Sequence, residues 1–202
     1  LAYQKQDVYI ARMPSRQLSL HRDRTQLLAR VELFESLEPW EFDSLAEHLK
    51  EREVKPGETI VKRGESGESM YILVEGLLEV YTIITGSDEE QKVADLIPGS
   101  FFGEMSLLTG AERSATIVAA TDAIVYEITK NDVVPLLNNR PVLAEHIAKI
   151  VAERQMRNRS AKADLPKEQA LAETQNFADQ VLAKMKGFFA GRQLEDLKPV
   201  EL

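Results

Sequence analysis

Residues 102–116 read Phe-Gly-Glu-Met-Ser-Leu-Leu-Thr-Gly-Ala-Glu-Arg-Ser-Ala-Thr, and their residue types suit one small ligand bearing both an anion and a hydroxyl. Gly103 has no side chain, so a ligand can approach the backbone closely there. Residues 104–108 are long enough for about one helical turn, whose unbonded N–H groups at its start would face an anion. Arg113 supplies a permanent planar cation that holds two phosphate oxygens at once. Ser114 adds a hydroxyl donor. Glu104 is itself an anion, so its natural target is a pair of donors such as sugar hydroxyls. A lone Gly-Glu or a lone Arg-Ser-Ala reads as an ion pair on a surface β-turn. Their combined spacing instead describes adjoining subsites, one for phosphate and one for ribose.

The elements around this stretch alternate between helical and β patterns. Residues 1–14 read as a short extended piece and 15–30 as a helix. Residues 38–52 read as a second helix, with Phe42, Leu45, Ala46 and Leu49 at helical spacing and Pro39 in its first turn. From residue 53 to 129, glycines punctuate runs rich in Val, Ile, Tyr and Thr. Strands are expected over 59–62, 70–74, 77–84, 93–96, 115–119 and 123–128. Short strands with turns every ~8–12 residues indicate a small sandwich or barrel. Residues 86–90 read as a solvated acidic hairpin tip. Beyond residue 129, Asn131 or Asp132 is expected to cap a short helix through Leu137. Pro141 opens a longer helix to about Arg157, with Leu143, Ile147, Ile150 and Val151 on one face. Residues 158–165 read as a linker and 166–190 as a last helix. The stripe of that helix, Leu171, Ala178, Leu182, Met185 and Phe189, fits a coiled coil, an intrachain packing face or an interfacial amphipathic segment. Residues 194–202 read as a loose tail. The expected fold class is α+β: a small antiparallel β-barrel or jelly roll flanked by N- and C-terminal helices.

Composition narrows the function. The 202 residues include 44% hydrophobic and 29% charged residues, enough for a real core and an ordinary polar surface. No run approaches the roughly 18 apolar residues of a membrane span, and no signal peptide is expected within these residues. The chain begins with Leu1 rather than Met, which is compatible with a piece of something longer and leaves membrane segments upstream open. Without cysteine there is no disulfide framework and no thiolate metal site. His21, His48 and His146 are scattered rather than clustered, so no metal is expected. A net charge of −8 argues against a duplex-binding surface. With no nucleophile–base pair and no metal constellation to activate water, the chemistry points to a sensor rather than an enzyme.

Phe102-Gly103-Glu104 followed by Arg113-Ser114-Ala115-Thr116 resembles the phosphate-binding cassette of cyclic nucleotide-binding domains. The resemblance continues upstream. Residues 33–37 resemble the entry helix of the family, and residues 55–61 and 64–76 its first strands with their glycine turns. It runs in order from Val31 to Arg157. It implies a ligand set of Phe102, Gly103, Glu104, Met105, Arg113, Ser114 and Ala115, with Val80 and Val93 touching the base. Arg113 and Ser114 would bind the cyclic phosphate together with backbone N–H groups near Gly103, Glu104 and Ala115. Glu104 would accept from the ribose 2′-hydroxyl. Ser114 stands where some members carry a guanine-favouring threonine, which leans toward cAMP over cGMP. The helix from Pro141 would fold over the base and transmit binding as a population shift.

The organisation implied is 1–30 as the end of an upstream domain, 31–157 as the nucleotide-binding domain, and 158–202 as a linker with an amphipathic helix. Residues 1–10 resemble the final strand of small-conductance mechanosensitive channels, although the proline pattern there is not preserved. That implies a bacterial membrane channel with a cytoplasmic sensor, partnered by its own channel domain, by further copies in a homo-oligomer and by no nucleic acid. The competing expectations are a nucleotide-independent interaction module built on the same barrel, and a cyclic nucleotide hydrolase.

Overall fold

The computed structural model describes residues 21–84, 88–160 and 167–190. The readings for residues 1–14 and 194–202, and for the very tip of the acidic hairpin, lie outside them. Helix α1 (His21–Leu28), a 3-10 turn (Glu32–Phe34) and helix α2 (Pro39–His48) lead into eight strands. These are β1 (Lys50–Val54), β2 (Thr59–Val61), β3 (Ser69–Glu75), β4 (Leu78–Ile83), β5 (Glu90–Leu96), β6 (Phe101–Phe102), β7 (Thr116–Ala119) and β8 (Ala123–Thr129). Helix α3 (Glu104–Thr109) interrupts them, and α4 (Lys130–Asn139), α5 (Pro141–Ser160) and α6 (Lys167–Ala190) follow.

The strands form two four-stranded antiparallel sheets, in the orders β1-β8-β3-β6 and β2-β7-β4-β5. This is the jelly-roll sandwich expected. Alternation along β3 shows how it is built, because successive side chains of a strand point to opposite faces. Tyr71 and Leu73 enter a core between the sheets with Val54, Phe102, Ile117 and Val125. Met70 and Ile72 face the other way, into a second core with Leu28, Phe34, Leu45, Leu143, Ile147 and Met185. The helices therefore pack on the outer face of the β1-β8-β3-β6 sheet, and that sheet is buried on both sides.

Several boundaries differ from those read in the sequence. The second helix stops at His48, and residues 50–54 form β1, paired with β8 from Lys50↔Glu127 to Val54↔Ala123. The short strand β6 was not expected. The cap of α4 is Thr129 rather than Asn131 or Asp132. The Asp132 carboxylate accepts from both the Thr129 N–H (2.7 Å) and its hydroxyl (2.6 Å), so Asp132 completes a capping box from the third helical position. Helix α5 runs on to Ser160. Glu90 opens β5 and accepts from the Thr116 hydroxyl at 3.0 Å, so it is more than a solvated tip residue.

For α6, the structure selects the intrachain face among the three readings. Ala178, Val181, Met185 and Phe189 are buried, and the helix packs on α5 and α3. Leu171, 74% exposed, is left out of that face. Among the described residues, no helix is long and apolar enough to cross a membrane.

Candidate functional site

Arg113 lies in a slot between two glycines. A Cβ on Gly67 or on Gly103 would collide with its guanidinium. At Gly103 the missing side chain thus makes room for the arginine, a different use from the ligand approach expected there. Gly103 also has φ +80 and forms the N-cap of α3, a backbone conformation that favours glycine. Arg113 Nη1 donates to the Ser69 carbonyl (2.7 Å) and the Gly103 carbonyl (2.9 Å), and Nη2 donates to Ser69 Oγ (3.1 Å). These bonds leave the Nε–H and one Nη2–H of its five donors outside them. The side chain is 6% exposed. Burial draws its pKa below the ordinary guanidinium value, while Tyr71, Glu104, Glu127 and Glu65 favour the charged form. It remains a cation at neutral pH.

Helix α3 starts next to this slot. It has six residues, so it sums few peptide dipoles. Its contribution is the free N–H groups of its first turn, while the full positive charge in the slot itself is that of Arg113. Glu104, the first residue of α3, pairs with Arg154 of α5, whose Nη1 stands 3.5 Å from Oε1. Arg154 is fixed by Phe101 as well: Nη2 donates to its carbonyl at 2.7 Å, and the guanidinium carbon lies 4.0 Å from its ring centroid. One turn further along α5, Arg157 Nη2 donates to both carboxylate oxygens of Glu32 at 3.0 Å each, which ties α5 to the 3-10 turn.

These groups line one cavity of about 720 Å³. All nine residues singled out in the sequence meet there: Val80, Val93, Phe102, Gly103, Glu104, Met105, Arg113, Ser114 and Ala115. Val80 on β4 stands opposite Ala94 on β5, which places Val80 and Val93 on neighbouring strands at the apolar end. Ser114 is exposed, and its carbonyl accepts from the Thr82 hydroxyl at 3.0 Å.

The sequence reading missed Arg154, Gln155 and Arg157 of α5, which also line the cavity. Their signal was two arginines three residues apart on one helix, a spacing that puts both on one face. It missed Gly67 and Ser69 as well, which sit in the turn leading into β3 and hold Arg113. Nothing in their spacing announces a contact with a residue 44 positions away.

One cavity thus brings together an apolar wall, a buried arginine beside helix N–H groups, and a carboxylate. Residues 51–140 match the family model of the cyclic nucleotide-binding domain, and the chain therefore carries such a domain. It is 36% identical over 129 residues to a cyclic nucleotide-gated potassium channel of Mesorhizobium japonicum, a match covering 64% of this chain and 34% of the channel. It is 32% identical over 133 residues to the cyclic AMP receptor protein of Thermus thermophilus, covering 66% of this chain and 61% of that protein. The N-terminal domain of a transcriptional regulator from Streptomyces coelicolor superposes with TM-score 0.55 at 27% identity, over 69% of this chain and 99% of that domain. The chain thus spans about a third of the channel's length and less than two thirds of the receptor's. These relatives are regulatory proteins rather than enzymes.

Proposed function

We propose that this chain senses a cyclic nucleotide, cAMP in preference to cGMP, and passes the signal through α5 to a membrane channel. The observation that carries the reading is the convergence of Arg113, the start of α3 and Glu104 on one cavity walled by α5. The cyclic phosphate sits between the unengaged Arg113 donors, the first-turn N–H groups and Ser114. The ribose 2′-hydroxyl donates to Glu104. A carboxylate has about four lone-pair sites, so Glu104 serves the hydroxyl and Arg154 together. The base lies against Val80 and Val93, and the docked position of α5 is favoured by the shared Glu104.

Output follows from the second tie. Arg157 joins α5 to the 3-10 turn, which follows α1 in the chain. In this reading residues 1–30 connect to a channel domain, 31–157 are the sensor, and the domain lies on the cytoplasmic side of the membrane in a homo-oligomer. The preference for cAMP rests on Ser114, and the channel on the Mesorhizobium relative and on the likeness of residues 1–10 to a channel strand. Calorimetric titration of the folded chain with cAMP and with cGMP tests it. Saturable heat with cAMP at lower concentration than with cGMP is the expected result. No heat with either nucleotide would reject the reading.

A further inference from the structure

The end of α6 is built into the back of the Arg113 slot. Gly110, the C-cap of α3, has φ +70, and a Cβ placed there would lie 2.6 Å from the Phe188 ring. Lys130, only 5% exposed, places Nζ 3.1 Å from the centroid of the same ring. Its Nζ also donates to the Phe188 carbonyl at 3.3 Å. The Lys130 backbone N–H donates to the Glu68 carbonyl at 2.9 Å, and its ammonium stands 3.8 Å from the Glu68 carboxylate. Glu68 lies between Gly67 and Ser69, which form one wall of the slot. Gly103, at the other end of α3 from Gly110, forms the opposite wall. Both walls are thus joined to Phe188, one through Lys130 and one through α3.

Helix α3 needs such support. Isolated helices shorter than ~12–15 residues are marginal in water, and α3 has six. Its buried Leu107 and Leu108 share one core cluster with Val181, Met185 and Phe189 of α6.

We propose that Phe188 is a positioning residue for the cyclic nucleotide site, acting through Gly110 and Lys130 to hold α3 and the 67–69 turn around Arg113. The proposal rests on the nucleotide reading for its effect on affinity, but not for its effect on α3. Helix α6 then completes the site from outside the cavity, and nucleotide binding in turn steadies α6.

The experiment compares the full chain with Phe188→Ala and the milder Phe188→Leu by amide hydrogen exchange and by calorimetry with cAMP. Without nucleotide, Phe188→Ala is expected to speed exchange at residues 104–110 while β3 and β8 keep their protection. With nucleotide, cAMP is expected to bind about 5-fold or more weakly, the scale of a coupling between sites. Phe188→Leu should fall between. Unchanged exchange at 104–110, unchanged affinity, or loss of protection spread equally into β3 and β8 would each overturn the proposal. If the unaltered chain bound no cAMP, the nucleotide reading would fall, and exchange at 104–110 would still decide whether Phe188 holds α3.

Discussion

Arg113 satisfies the Ser69 and Gly103 carbonyls with its guanidinium, and the proposed function gives its remaining donors to the cyclic phosphate. Arg113→Ala should therefore weaken cAMP binding by ~1.5–3 kcal/mol, the scale of a hydrogen bond to a charged group, as read by calorimetry. Unchanged affinity would remove Arg113 from the phosphate subsite. Beside the slot, Tyr71 accepts from Ser69 Oγ (3.1 Å) and donates to Glu127 (3.0 Å), with its ring stacked on Phe102 at 5.3 Å between centroids. Burial, above all, pushes its phenol above the ordinary value of 10.0. The folded value is thus the higher one. The stabilisation is present below the ordinary value and is lost as pH rises through the folded value. Denaturant unfolding of the protein and of Tyr71→Phe, at neutral pH and above pH 10, measures this. The stability advantage of the tyrosine should shrink on the alkaline side, and a pH-independent difference would contradict it.

At the scale of elements, most strands were legible as runs rich in Val, Ile, Tyr and Thr between turn glycines, such as β3, whose apolar run is continuous because both its faces are buried. Residues 50–54 were not, since Lys50, Glu51, Arg52 and Glu53 offer no apolar alternation and only Val54 is buried. That strand exists because β8 pairs with it at the sheet edge, where charged side chains are tolerated. Likewise β6 is two residues long, too short for any period to show. The cassette was legible because its residues lie close together in sequence. Arg154 and Ser69 were not, because only folding brings them to it. The cap of α4 was misplaced by two or three residues, because three neighbouring polar residues could each have served. The observed geometry makes Thr129 the cap, so Thr129→Ala should lower stability by about 1 kcal/mol. Denaturant unfolding measures this. Asn131→Ala would produce a comparable loss only if the cap lay there instead.

At the scale of the whole molecule, the two cores share one sheet. Met70 and Ile72 bind the helical layer while Tyr71 and Leu73, on the same strand, bind the sandwich. Losing the helices would expose one face of the β1-β8-β3-β6 sheet, and losing the sandwich would leave the helices nothing to pack on. The two layers should therefore unfold as one unit. Amide exchange along a denaturant series reads the layers separately, through protection in α2 and α4 for the helical layer and in β4 and β7 for the sandwich. Coincident transitions from the two probes are expected. Helical protection lost before strand protection would mean the layers are separable. Because a ligand that binds only the folded state stabilises all of it, cAMP at a hundredfold excess over its Kd should add about 2.7 kcal/mol to both transitions together. In Arg113→Ala at the same cAMP concentration, the transitions should still coincide but the nucleotide shift should fall to about 0.3–1.3 kcal/mol. A shift confined to one probe would instead place the nucleotide's effect in a single layer and break the link from cavity to α5 on which the proposed signalling depends.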